Sequence, residues 1–379
     1  VTVSGPIWDD HPAPRLPRLL VDVAADVCVV GLGGAGLAAV GEAIRRGATV
    51  VGIDAAAVGA GAAGRNGGFL LAGLPRFHHR AAAEIGRERA AALYRLTIAE
   101  IGRIRQETPE AVRPVGSVRL ASSPEEEEDC DRQFAAMAAD GLPVRPYAGP
   151  GGRGLEFPTD GSLQPLRRCR ALAVQAVDGG ARLFERSPAT AIAGDLVTTP
   201  GGRIRCDRVV VAVDGGLESV LPELAGRVRT ARAQMLATAP VPGVVAVRPV
   251  YARWGYDYWQ QLPDGSVAIG GFRDRGGEAE WTAAAEPTRP VQEEIERFLR
   301  STLRVTAPVT HRWAGAIAFT PDGMPVLGEV RPGVLAAGAY SGTGNVLGAI
   351  CGRAAVELAL DGRSETAALV AGSAARPPA

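Results

Sequence analysis

Regular patterning begins at residues 26–30, DVCVV, a short apolar run rich in valine of the kind carried by strands buried on both faces. ATVVGI at 48–53 repeats that texture, as do RVVVAV at 208–213 and GVLAAG at 333–338. Between the first two runs lies alanine-rich helical sequence that ends at Arg46, and Gly47 stands where a helix C-terminal glycine belongs. Strand, helix and strand in this order predict a parallel sheet covered by helices. Other stretches read differently. Residues 81–107 predict an amphipathic helix, and EEEED at 125–129 opens another helical stretch. Residues 250–273 alternate as strands do, broken by the turn Pro263-Asp264-Gly265. The buried-strand texture is interrupted twice. The expected fold is therefore α/β: a discontinuous Rossmann-like domain, with a second α+β domain built on a mainly antiparallel sheet from the two insertions.

Composition narrows the possibilities. A chain of 379 residues suits two domains, and its 46% hydrophobic content with a formal net charge of zero fits a soluble protein with a large core. Balanced charge argues against nucleic acid as a partner. No apolar run is long enough to span a bilayer, and VTVSGPIWDDHPAPRLPRLL shows no secretory pattern, so a cytoplasmic location without membrane contact is expected. The five cysteines are scattered and odd in number, as reduced thiols would be, and the four histidines form no metal-ligand spacing, so no metal is expected. Every basic residue is arginine; the chain has no lysine, which excludes Schiff-base chemistry on a lysine.

The turn after the first strand carries Gly31, Gly33, Gly34 and Gly36 in a G-x-G-x-x-G spacing, and the second strand ends in Asp54. That context gives the motif a physical meaning. The first glycine makes the tight turn, the second admits a pyrophosphate against the backbone, and the third lets helix and strand pack closely. The anion then sits on the helix N-terminus, and the acid accepts from a ribose hydroxyl. These residues predict a bound dinucleotide without choosing which one. Directly after Asp54 comes GAGAAGRNGGF, residues 59–69, with Arg65 and Asn66 between glycines. Its glycines allow close backbone approach, and Arg65 can meet phosphate charge.

This loop resembles the G-x-S-G-R-N-G-G loop of the FAD-dependent D-amino-acid oxidase and glycine oxidase superfamily, particularly its γ-glutamylputrescine oxidase-like branch. The resemblance extends over nearly the whole chain: IWDD at 7–10, GGARLFERSPATAI at 179–192, RVVVAVDGG, and TPDGMPVLGEV followed by GAYSGTGNVLGAICGR. It implies FAD as cofactor, held by Gly31, Gly33, Gly34, Gly36 and Asp54, and by Gly64, Arg65, Asn66, Gly67 and Gly68. Pro188 and Ala189 would pass the adenine, with Asp214 and Gly215 beside the cofactor. Gly342, Thr343, Gly344, Asn345 and Val346 would open a helix toward the flavin ring. The implied domains are 1–75, 165–225 and 312–379 for FAD, with 76–164 and 226–311 for substrate.

Departures from the family pattern also shape the expectations. Thr343 stands where histidine is usual and Ala63 where serine is usual; Gly315 occupies the position at which covalently flavinylated members carry cysteine, implying non-covalent FAD. Ile317 stands where glycine-oxidase-like members place a carboxylate-binding arginine, and the lysine that promotes oxygen reaction in several members is absent.

On the substrate side, YARWGYDYWQQ at 251–261 reads as one strand with Ala252, Trp254, Tyr256, Tyr258 and Gln260 on one face and Arg253, Asp257 and Trp259 on the other. It is either an aromatic core strand or, as the resemblance implies, a wall of the substrate pocket together with Phe69, Arg273, Ile317, Phe319 and Thr343. Phe272 is a further candidate beside Arg273. Aromatic walls suit an amine. His78-His79 reads as a surface or helix-start pair, His311-Arg312-Trp313 as packing, and EEEED as a solvated helix start.

The resemblance implies oxidation of a C–N bond in an amine or amino-acid-like molecule, by hydride transfer to flavin N5. The imine is then hydrolysed, and oxygen is reduced to hydrogen peroxide. No catalytic side chain beyond the flavin is assigned. A dehydrogenase using another electron acceptor and a non-catalytic nucleotide-binding sensor are the alternatives.

Overall fold

The computed structural model of the chain describes residues 5–370; the outermost positions of the expected FAD domain, 1–4 and 371–379, lie outside the described residues. The chain forms two compact units. One comprises residues through Asp10, Arg65–Gln164 and Ala231–Ala316; the other comprises His11–Gly64, Pro165–Thr230 and the chain from Ile317 onward.

The second of these units is built on a parallel sheet. Its five parallel strands run in the order Arg182–Phe184, Val50–Ile53, Val23–Val30, Gly202–Val211 and Val334–Gly338. Leu196–Thr199 and Val326–Arg331 add antiparallel edges. Cys28, Val51, Ile53, Val209, Val211 and Ala336 are buried in its core, as the apolar runs require. Register matters for the site. Val30 pairs with both Ile53 and Val211, so these three strands end level with one another, and the turns bearing Gly31, Asp54 and Ala212 leave the sheet at one carboxyl edge. Ligands of open α/β sheets bind at such an edge. Helix Gly34–Arg45 follows the first strand, with Arg46 as its C-cap and Gly47 in the left-handed region at φ 78°.

The other unit carries an eight-stranded sheet in the order Val309–Phe319, Arg229–Thr238, Val267–Gly271, Asp257–Gln261, Val250–Ala252, Ser117–Leu120, Gly152–Phe157 and Arg145–Gly149. From Arg229–Thr238 to Arg145–Gly149 its ladders are antiparallel except that Val250–Ala252 runs parallel to Ser117–Leu120. One face packs against helix Arg289–Ser301, whose Val291, Ile295 and Leu299 recur every four residues and meet Val118, Leu236, Trp259, Val267 and Ile269. The opposite face carries Tyr251, Leu155 and Phe157.

Several local expectations are corrected here. Residues 81–107 are not one helix: Gly86, at φ 89°, separates His78–Ile85 from Arg87–Glu107. EEEED lies in helix Pro124–Ala139, where Ser123 caps the first turn, but Glu126 and Asp129 are buried rather than solvated. Glu126 accepts from Trp254 N (2.7 Å), and Asp129 accepts from Trp254 Nε1 (2.9 Å). His78 does begin a helix, yet it is buried with Nε2 2.7 Å from Asp140 Oδ2. Residues 251–261 are a hairpin instead of one strand: Arg253–Gly255 form a tight turn, and Tyr251 pairs across it with Tyr258. Phe272 and Arg273 follow the end of strand Val267–Gly271, with Arg273 starting a short helix.

Candidate active site

The glycine turn of the parallel-sheet unit is packed to its limit on one side and open on the other. A Cβ on Gly31, whose φ is 100°, would lie 2.7 Å from Ala212 O, and one on Gly36 would overlap Gly31 O. A Cβ on Gly33 would lie 3.1 Å from Ala63 Cβ, whereas one on Gly34 would meet nothing within 4 Å. No side chain caps helix Gly34–Arg45, and its first turn holds no acid. Leu37 N is the first amide to bond back, to Gly33 O at 2.9 Å, so the preceding N–H groups point toward the open side. Such a terminus favours an anion.

Asp54 closes the same edge. Its carboxylate accepts from Leu32 N and Ala56 N, each at 2.8 Å. Burial pushes its pKa up, those two N–H groups oppose the shift, and Glu185 adds to it. Ser187 N donates to Asp54 O at 2.8 Å, which brings the Pro188-Ala189 loop to this strand end. Gly59 N bonds to Leu32 O at 3.2 Å, and a Cβ on Gly64 would overlap Gly59 O, so the alanine-glycine stretch folds compactly over the turn.

A second helix start lies in this unit. Helix Gly344–Asp361 begins after Ser341-Gly342-Thr343 with no side-chain cap and no acid in its first turn. Thr343 Oγ1 is turned back to Tyr340 O at 2.8 Å, and Gly342, at φ 94°, has open space where a side chain would be. Ser341 Oγ is buried there without a hydrogen-bond partner among the described residues. Asp214 shapes this turn from beneath, accepting from Tyr340 N at 3.1 Å and Ala318 N at 3.4 Å; burial raises its pKa to about 6. Gly215 follows it in the turn after the strand. Ile317 and Phe319 lie at the end of strand Val309–Phe319, half-buried, on either side of the buried Ala318.

In the antiparallel unit, Arg65-Asn66-Gly67-Gly68 is held by its carbonyls. Trp313 Nε1 donates to Arg65 O (2.8 Å), Trp8 Nε1 to Asn66 O (2.8 Å), and Gln260 Nε2 to Gly67 O (2.5 Å). Leu163 N and Gln260 Nε2 reach Gly68 O at 2.7 and 3.2 Å. Asn66 Oδ1 accepts from Gly68 N at 2.8 Å, and Arg65 Nη1 donates to Ala314 O at 3.0 Å. Trp8 and Trp313 are buried edge-to-face, with centroids 6.2 Å apart. Sequence reasoning set Trp8 in an arm and Trp313 in packing, and it did not give Gln260 a role. Gln260→Leu is expected to weaken FAD retention by about tenfold, since each lost bond to a buried carbonyl costs roughly 1 kcal/mol. FAD titration into apoprotein measures this; unchanged affinity would count against the clamp.

Phe69 and Tyr258 come together edge-to-face with centroids 5.9 Å apart, and the Tyr258 ring packs on Gly67. Tyr256 is 40% exposed and lies under Arg253 and Arg273, away from Tyr258. Trp259 points to the other sheet face, against Phe298. Of the aromatic candidates in this unit, Phe69 and Tyr258 alone share the loop.

The family model described as FAD dependent oxidoreductase matches residues 26–358. The chain belongs to that family of FAD-dependent oxidoreductases. It is 27% identical over 381 residues to a probable oxidoreductase OrdL of Rhizobium meliloti (strain 1021), covering 93% of this chain and 87% of the relative. It is 26% identical over 373 residues to gamma-glutamylputrescine oxidoreductase of Escherichia coli (strain K12), covering 89% and 84%. L-proline dehydrogenase from P. horikoshii shares the fold, with a TM-score of 0.75, 20% identity, and coverage of 91% of this chain and 96% of that one.

As an FAD-dependent oxidoreductase, the chain must accommodate a pyrophosphate, a ribose and a flavin ring. The residues fit that group. The open, uncapped start of Gly34–Arg45 suits the pyrophosphate, and Asp54 retains lone pairs for a ribose hydroxyl. The second uncapped helix, with the unpartnered Ser341 Oγ, suits the electron-rich end of a flavin. Among the described residues no helix is long and apolar enough to cross a membrane, and no cluster could hold a metal ion.

Proposed function

We propose that this chain oxidises the C–N bond of an amine or amino-acid-like small molecule, with FAD held non-covalently by the two helix starts of the parallel-sheet unit. Bound FAD would supply two-electron acceptance, taking up the hydride released by the carbon that bears nitrogen, with oxygen as the final acceptor of the electron pair and hydrogen peroxide as its product. The observation that carries the reading is the Tyr258 ring packed on Gly67 of the loop, with Phe69 edge-on beside it. An aromatic wall there orients an amine and excludes water from it.

The named activities of the relatives, oxidation of a glutamyl-diamine and of proline, support a nitrogen-bearing substrate. A substrate that enters as the neutral amine keeps its nitrogen lone pair to drive hydride departure, so no side-chain base is required. Loss of hydride and one proton leaves an imine, which water converts to a carbonyl compound and an amine. Gly315 offers no thiol for covalent attachment, and Ile317 offers no guanidinium to an α-carboxylate. The absence of lysine favours a second reading, in which another acceptor replaces oxygen. Reoxidation of the reduced enzyme by oxygen, followed by stopped flow, separates the two: a rate no faster than free flavin establishes a dehydrogenase.

The test is anaerobic mixing of the holoenzyme with a panel of primary and secondary amines beside alcohols of the same carbon skeleton. Bleaching of the visible flavin bands by amines but not by the alcohols is expected. Reduction by the alcohols alone would overturn the proposal.

A further inference from the structure

The sheet of the antiparallel unit presents a row of cross-strand neighbours on the face that carries Tyr258. Tyr258 pairs with Tyr251, Tyr251 with Arg119, and Arg119 with Leu155. The Arg119 guanidinium lies between two rings, 4.1 Å from the Phe77 centroid and 4.6 Å from that of Tyr251. Its Nε is buried without a hydrogen-bond partner, another N–H of the guanidinium donates to the Tyr251 hydroxyl, and among the described residues no carboxylate lies within ion-pair distance of it. The titratable groups that feel its charge are Asp160, Tyr94, Tyr251 and Cys130. Asp160 is spent elsewhere, accepting from Ser117 Oγ (2.6 Å) and Ala72 N (2.9 Å).

A half-buried cation without an anion is costly, and two cation–π contacts offset only part of that cost. An unpaired buried donor at such a position marks a group kept for a ligand. The Nε–H and an adjacent Nη–H form the planar fork that matches a carboxylate. Strands lie about 4.8 Å apart, so Arg119 and Tyr258 are two spacings, roughly 10 Å, from each other along the row. A carboxylate beside the reacting nitrogen, as in an α-amino acid, cannot span that distance from a site at Tyr258 and Gly67.

We infer that Arg119 is a specificity-determining residue that binds an acidic group at the far end of an extended amine, several bonds from the oxidised C–N bond. This rests on the proposed amine oxidation at the Tyr258–Gly67 wall. Phe77 and Tyr251 hold the fork flat and dry, and Tyr251 and Tyr258 line the course of the linking chain.

The test compares wild-type holoenzyme with Arg119→Met, using 6-aminohexanoate, hexylamine and the non-reducible adipate. Wild type is expected to be half-reduced at about 10- to 100-fold lower 6-aminohexanoate than hexylamine, as one charge-assisted pair allows. In R119M the two amines become equal while hexylamine is unchanged, and the perturbation of the flavin spectrum by adipate disappears. An unaltered preference in R119M, or adipate binding that survives the substitution, overturns the inference. If neither amine reduces the flavin, the amine reading falls and the adipate arm alone decides: perturbation lost in R119M supports Arg119 as the receptor, and perturbation retained or never seen refutes it. Arg119→Gln takes the place of R119M if the latter does not retain FAD.

Discussion

The Gly34→Asp variant is expected to fold as the parent does and to lose FAD. A side chain at this position enters open space, with nothing within 4 Å of its Cβ, so it costs no packing. A carboxylate in the first turn of helix Gly34–Arg45 also complements the helix dipole, worth about 0.3–1 kcal/mol to the apoprotein. The same carboxylate sits where the pyrophosphate would be. Two like charges about 4 Å apart repel by roughly 4 kcal/mol at a partly screened site. The expected loss of FAD affinity is therefore on the order of 100- to 1000-fold, with an unchanged or slightly raised apoprotein melting temperature. Affinity within a few-fold of wild type would remove the pyrophosphate from this helix start.

Gly36→Ala, two positions on, is expected to act through the fold instead. Its Cβ would overlap the Gly31 carbonyl, which is backbone and cannot rotate away. The helix cannot back off either, because Gly352 of helix Gly344–Asp361 packs so closely on Ala35 that a Cβ there would overlap Ala35 O. The turn must open or the first strand must shift, at a cost of about 3 kcal/mol. Apoprotein stability and FAD binding should fall together in G36A, whereas G34D separates them. Calorimetry on both apoproteins gives the comparison. A G36A apoprotein as stable as wild type would show that the glycine spacing does not serve strand–helix contact.

A third expectation concerns pH. Burial raises Asp160 from its ordinary 3.8 to about 7, against the hydrogen bonds from Ser117 and Ala72 and the charge of Arg119. Between about pH 4 and 7 the native protein holds a proton that the unfolded chain releases, so stability falls as pH rises through that interval. Asp160→Asn keeps the shape and cannot ionise. Its urea midpoint should decline less over the interval and exceed that of wild type at neutral pH; equal slopes would refute the assignment.

The nucleotide edge was legible in sequence because close backbone approach leaves a local mark. Gly36 and Asp54 each have a steric or hydrogen-bonding task set by neighbours in the same strand-helix-strand stretch or just beyond it, although Gly31 is pressed by Ala212 from a distant strand end. The loop clamp was not legible, since Trp8, Gln260 and Trp313 reach it from 58, 193 and 248 positions away. An indole carries no local sign of which carbonyl it will find. The break at Arg253–Gly255 was hidden for a similar reason. Arg253 and Trp254 adopt positive φ of 48° and 54°, which their own side chains disfavour. Tertiary partners hold them there: Asp257 and Asp274 take the Arg253 guanidinium, while Glu126 and Asp129 take Trp254. Those last contacts also explain why part of an acidic helix start is buried. Arg119 sits in a four-residue strand, SVRL, where nothing local distinguishes a ligand-binding arginine from a surface one.

The most direct test of FAD held without a covalent bond is the visible absorption spectrum of the purified protein before and after denaturation and removal of the chain. Flavin bands that leave entirely with the small-molecule fraction are predicted. Colour that stays with the chain would contradict non-covalent binding, and a colourless protein that takes up no added FAD would contradict the cradle itself.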